Sequence, residues 1–270
     1  MPLPSFNRLV RLYSERMQRL FAGHLLSMIQ RPGVAADLTF YRAALQLAEA
    51  MAREVAAAGA TSWRQAAMKS YRGREIYEAL RAEIKREGLA GPLAEIAQRN
   101  ARLITSVPSD VGQMVTARAR KLILAGERPE ALAKAIRQWA PELAKNRIKL
   151  IARTEIARCN TDLEKARAES IGLEWAVWQS SEDERVRPSH RNLNGVLMNW
   201  SDPPQPEALI GEHSTLGRGF AGQFPNCRCD MLSLADLAEI KWPVRMYRNG
   251  SIRRITRAEF LHLAPELRAA

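Results

Sequence analysis

Between about Glu142 and Ser170 the chain repeats apolar residues at helical spacing, and one step of that repeat is a carboxylate. At about 100° per residue, Ile148, Ala152, Cys159, Leu163 and Ala166 fall on one stripe, which fades at Ser170. Glu155 occupies the missing step. A carboxylate on the buried face of a helix has to be paired, hydrogen-bonded or protonated, because burying it alone is costly. Arg153 lies about 200° around the same helix and cannot be the partner. Arg185 and Arg187, in the segment Asp183-Glu184-Arg185-Val186-Arg187-Pro188-Ser189-His190, are the cations best placed in sequence. The expectation is a structural ion pair between Glu155 and Arg185 or Arg187. A catalytic acid or base is the competing reading, and no catalytic residue is assigned, because buried ion-pair networks perturb carboxylates without any chemistry.

Upstream of this helix the chain reads as helix after helix. A first helix is expected to run to about Gln30 and stop at Arg31-Pro32-Gly33, a second to run from Asp37 to Gly59, a third from Thr61 to Gly88 with Gly73 as an alternative break within it, and a fourth from Gly91-Pro92. The run Thr105-Ser-Val-Pro-Ser-Asp110 reads as a break, followed by helices near Val111 to Leu124 and Pro129 to Trp139. After Ile171-Gly172 the pattern changes. Glu174 to Ser180 has the aromatic and branched composition of a strand, a long glycine-containing loop follows, and Arg228 to Leu232 reads as a second short strand. Met246 to Arg253 reads as a hairpin around Asn249-Gly250, a pair suited to the positive φ angles of a type I′ turn. The fold class is therefore α+β and predominantly helical. The expected division is an N-terminal helical region at 1–104, a small α+β domain with few short strands at 105–235, and a basic hairpin and tail at 236–270.

The formal net charge of +12 favours a polyanionic partner. Residues 1–180 hold 29 Lys/Arg against 18 Asp/Glu, whereas residues 181–270 hold 12 against 11, so most of the surplus lies upstream. The stretch Lys241 to Arg257 is a local exception that contains no acid, and it makes Arg245, Arg248, Arg253, Arg254 and Arg257 the candidate contacts to double-stranded DNA. A start without a charged and apolar leader, and no run approaching roughly 18 apolar residues, predict neither export nor a membrane partner. Three cysteines, two of them one residue apart, fit synthesis in a reducing cytoplasm.

His190, Cys227 and Cys229 are residue types that zinc takes, but a structural site wants four ligands and neither Arg187 nor Phe224 supplies one. No cofactor is expected, and zinc on these three residues is the alternative. Cys159 reads as a core residue. Neither a phosphate loop nor a dinucleotide fingerprint is present, and Gly217-Arg218-Gly219-Phe220-Ala221-Gly222 opens no helix, so it is expected to be a flexible loop.

Taken in order, Ile151-Ala152-Arg153-Thr154-Glu155-Ile156-Ala157, the Trp178 strand, Asp183-Glu184-Arg185-Val186-Arg187, His190, Leu193-Asn194-Gly195 and Pro225-Asn226-Cys227-Arg228-Cys229 resemble the phage Mu F-like head-morphogenesis family. These are minor head proteins of tailed bacteriophages, and the resemblance runs from about Ser109 to Ala235. It implies a structural protein present in few copies in the virion, assembled in the host cytoplasm and placed in the capsid interior near the portal vertex. Its partners would be the portal protein, other head or internal capsid proteins, and packaged DNA. Many relatives carry Cys-x-x-Cys where this chain has Arg187 and His190, and a histidine where it has Phe224. Those departures leave Arg187 and Phe224 at two positions where such relatives offer a ligand. The alternative function is a metal-dependent, nuclease-like enzyme acting on nucleic acid, with Asp183 joining His190, Cys227 and Cys229.

Overall fold

The computed structural model describes residues 6–22, 25, 28, 38–69, 73–84, 89–125 and 128–264. The fold is α+β and predominantly helical, as the periodicities require. Among the described residues, five helices with defined bounds come first: α1 (Phe6–Phe21), α2 (Leu38–Lys69), α3 (Gly73–Ile84), α4 (Ala90–Leu124) and α5 (Pro129–Ser170). They are followed by β1 (Trp175–Gln179), α6 (Pro188–Asn192), β2 (Leu197–Asn199), β3 (Asp230–Ser233), β4 (Val244–Arg248), β5 (Ser251–Ile255) and α7 (Arg257–Leu263). None of the described helices is long and apolar enough to cross a membrane.

The helices are longer than their sequence punctuation suggests. Thr105 to Asp110 is not a break: α4 runs through it, with Pro108 inside the helix. Ile104, Val107, Pro108, Val111 and Val115 repeat at threes and fours and are all buried, so tertiary burial overrides the local propensity. The hydroxyls of Thr105 and Ser106 turn back onto the carbonyls of Arg102 and Leu103, and Asp110 accepts from Ser106 and pairs with Arg147 of α5 at 2.8 Å. For the same reason α2 passes through Gly59 and α5 passes through Pro141, joining two expected helices into one of 42 residues. The expected stop at Arg31-Pro32-Gly33 and the expected cap at Asp37 lie outside the described residues.

The five strands form one sheet in the order β3-β1-β2-β4-β5, antiparallel except where β2 meets β4 in parallel at Leu197 and Met246. The expected boundary after Ala235 therefore runs through a continuous sheet, and the hairpin is two of its strands. Asn249 and Gly250, with φ of 48° and 83°, make the positive-φ turn between β4 and β5.

Helix α5 serves two cores. Ala144, Ile148, Ile151, Ala152, Ile156, Cys159 and Leu163 pack with α1, α2 and α4, while Ala168 and the following Leu173 begin a second core under the sheet. Alternation in β1 sends Ala176 and Trp178 into that second core and Trp175 to the opposite face, where it packs with Met246, Ile255 and Phe260. The boundary expected between residues 104 and 105 likewise falls inside α4, whose two halves share the helical core.

Candidate functional site

The three residues of Arg153-Thr154-Glu155 project in three directions from α5, as successive turns of about 100° demand. Glu155 points into the helical core and is 3% exposed. Its partner is Arg99 of α4, whose Nε lies 3.1 Å from Glu155 Oε2 and whose Nη1 lies 3.0 Å from Asp162 Oδ2. This corrects the expected pairing with Arg185 or Arg187. The Glu155 stripe faces α4, whereas the loop that carries those two arginines belongs to the sheet side. Arg187 donates from Nη2 to the carbonyl of Pro225 at 2.7 Å. Arg185 is exposed, and its backbone N–H donates to Asp183 Oδ1 at 2.9 Å. Thr154 Oγ1 accepts the backbone N–H of Asn226 at 3.1 Å, so the Pro225-Asn226 tip is fastened to α5 and to Arg187.

Asn100 lies beside Arg99 on α4 and joins the same buried polar system: it accepts from Tyr13 Oη at 3.3 Å and donates to the Ile96 carbonyl at 2.9 Å. Burial, and then the nearby Glu155 carboxylate, push the Tyr13 hydroxyl above its ordinary range. Burial also pushes the Cys159 thiol up, which keeps it a neutral core side chain.

That fastened tip leads into the cysteines. His190, on α6, and Cys227 and Cys229 are all buried, and their ligand atoms lie within 4.8 Å of one another. His190 Nδ1 is 3.4 Å from Cys227 Sγ and 3.8 Å from Cys229 Sγ. Trp178 and Phe224 close over the imidazole, with ring centroids 5.1 and 5.0 Å from it. The hydrogen bond from Cys229, opposed by burial and reinforced by His190 and the Gly222 N–H, holds the Cys227 thiol well below its ordinary range; the same bond pushes Cys229 up. Donor chemistry and spacing both suit zinc, because bonds near 2.1 Å to nitrogen and 2.3 Å to sulfur place tetrahedral ligands roughly 3.6 Å apart. The fourth corner has no protein ligand among the described residues. Arg187 is engaged with Pro225, and Phe224 presents a ring.

Asp183 does not join this cluster. It forms an ion pair with Arg228, and the hydrogen bonds from Arg228 hold its carboxyl below the usual carboxylate range. Asp230, beyond Cys229, is pushed up to about 7 by burial.

The glycine-rich segment Gly217 to Gly222 is docked, contrary to the flexible loop expected. Thr161 Oγ1 donates to the Ala221 carbonyl at 2.6 Å, and the backbone N–H of Gly222 donates to Cys227 Sγ at 3.3 Å. Gly222 has a φ of 84°, and a Cβ there would lie 2.5 Å from Thr161 Oγ1 and 2.8 Å from the Ala157 carbonyl. Glycine is therefore what lets this loop close on α5.

On the hairpin, Arg248, Arg253 and Arg254 are exposed, as is Arg257 at the start of α7; Arg245 donates to Asn192 Oδ1 at 2.9 Å. Arg245 and Arg254 are cross-strand neighbours, an unfavourable like-charge arrangement that an anion would relieve.

Arg99 is the site residue that sequence reasoning missed. It lies 56 positions from Glu155 in another helix, and no local pattern marks its partner.

Residues 113–232 match the family described as Phage Mu protein F like protein. This span contains Glu155, His190, Cys227 and Cys229. An uncharacterized protein of Haemophilus influenzae is 30% identical over 137 residues, which is 51% of this chain and 28% of the relative. The chain thus spans well under half the length of that relative. No solved structure matches.

Proposed function

The chain carries a Phage Mu protein F like segment at residues 113–232, and on that premise we propose that it is a minor head protein of a tailed bacteriophage, acting in head morphogenesis at the portal vertex. The observation that carries this reading is the family match, which covers the ordered series from the Glu155 helix to Cys229. The fold supports it. A helical region and a compact α+β unit share one long helix, an arrangement suited to holding a docking surface rigidly against a neighbour. In this reading the helical part meets the portal or internal head proteins, and the exposed arginines of the hairpin face packaged DNA. The test is the protein content of purified heads. This chain should be present in few copies and should co-purify with the portal protein, and heads that contain portal but none of this chain would overturn the assignment.

A second element of the proposal is zinc at His190, Cys227 and Cys229, supported by the separations of 3.4 and 3.8 Å that already approximate the edges of a tetrahedron. Zinc would tie α6 to the Cys227–Cys229 segment. Chelator-stripped protein titrated with zinc should take up one ion per chain with a rise in Tm, and Cys227→Ser should abolish both. No uptake by the unsubstituted protein would leave the trio a hydrogen-bonded thiol pair and histidine.

A further inference from the structure

A cleft of about 700 Å³ opens between the start of α1, the face of α5 that carries Arg153, and the loops around Arg185 and Asn226. Its walls include Arg8, Arg153, Arg185 and Arg228, with Asp230 as the single acid in the lining. Arg228 is neutralised by Asp183. Arg8, Arg153 and Arg185 form no ion pair with a carboxylate among the described residues, although Asp183 lies close enough to Arg185 to feel its charge, and all three are exposed. Arginines from three distant parts of the sequence thus converge on one concavity with a clear excess of positive over negative charge. That arrangement costs mutual repulsion and is relieved by an anion.

We propose that this cleft binds the phosphates of a nucleotide or of a single nucleic-acid strand. A guanidinium presents a planar fork of donors that matches phosphate oxygens in pairs, and several forks can share one phosphate or follow successive ones. A phosphate offers more oxygens to converging forks than a carboxylate, which has two, so several arginines around one concavity favour phosphate over an acidic peptide. The remaining polar wall, Asn7, Ser181 and Asn226, offers neutral groups for the sugar and base. The volume falls within the range of small-ligand pockets, far below what a double helix would fill. Two parts of the cleft wall are anchored to regular structure. Arg153 sits within a 42-residue helix, and Asn226 is held by Thr154 at 3.1 Å. This site is separate from the basic hairpin and does not depend on the head-protein reading.

The test is fluorescence anisotropy of the full chain with a labelled short oligothymidylate, competed in separate arms by dTMP, by duplex DNA and by polyglutamate. Arg153→Gln combined with Arg185→Gln should weaken strand binding about tenfold or more. It should also reduce the slope of log affinity against log salt by about 1.4, from two lost contacts at about 0.7 each. Arg253→Gln with Arg254→Gln removes the same charge elsewhere; it should lower duplex binding and leave oligothymidylate binding within about twofold. Both pairs are exposed, and circular dichroism should show unchanged folding. Competition by dTMP would identify a nucleotide monoester as sufficient, and strand binding that dTMP does not compete would identify a polymer track; either supports the site. Equal losses from the two double variants would reduce the effect to net charge and overturn it. Polyglutamate competing as well as the oligonucleotide would replace phosphate with an acidic protein partner.

Discussion

Arg99→Met is expected to destabilise the chain by about 3–5 kcal/mol, roughly 10 °C in Tm for a protein of this size. The substitution keeps an apolar stem but leaves Glu155 buried with no cation, and Asp162 loses its cation as well, keeping only the hydrogen bond from the Gln223 amide. Glu155→Gln should cost less, because it removes the buried charge itself while Arg99, 27% exposed, keeps Asp162 and contact with water. Arg185→Met should be close to neutral. Urea unfolding midpoints of the three variants would decide the matter. An Arg185 effect equal to that of Arg99 would restore the pairing first expected from the sequence, and a Glu155→Gln cost exceeding that of Arg99→Met would mean that hydrogen-bond geometry outweighs the stranded charge.

Gly222→Ala should destabilise by about 2–5 kcal/mol, combining the strain of a left-handed backbone with overpacking against a neighbour that cannot move aside. The new methyl group would meet the Ala157 carbonyl of α5 at 2.8 Å, and that carbonyl is part of the helix. The loop would have to lift, breaking the Thr161 to Ala221 hydrogen bond and withdrawing the Gly222 N–H from Cys227. Gly217→Ala provides the comparison. Its φ is 72°, and its Cβ would meet nothing within 4 Å, so it should show the conformational strain alone. Equal costs at the two positions would remove the docking contact from the explanation. If Cys227 also becomes more reactive toward an alkylating agent in Gly222→Ala, the loop is what shields it.

Much of this architecture was legible locally. The Trp175 to Gln179 strand, the Asn249-Gly250 turn and the long helix through Glu155 rest on short-range periodicity and turn chemistry, which act within a few residues. The order of motifs pointed to the family that residues 113–232 match. Helix ends were less legible, because proline and glycine signals compete with burial. At Pro108 and Gly59 the packed face prevailed. The three-residue β2 carries too little pattern to stand out, and its place in the sheet is set by Met198 pairing with Ala176.

The sequence by itself determined that Glu155 lies on a buried stripe and needs a partner, and that His190, Cys227 and Cys229 share a ligand chemistry. Only the tertiary structure decided that the partner is Arg99 and that the histidine and cysteines meet within 4.8 Å. It also left Arg153 and Arg185 on a common cleft. The reason is physical. Periodicity fixes which face of an element is buried, but which distant charge meets that face depends on how whole helices pack, and no residue in one segment records the choice made by another.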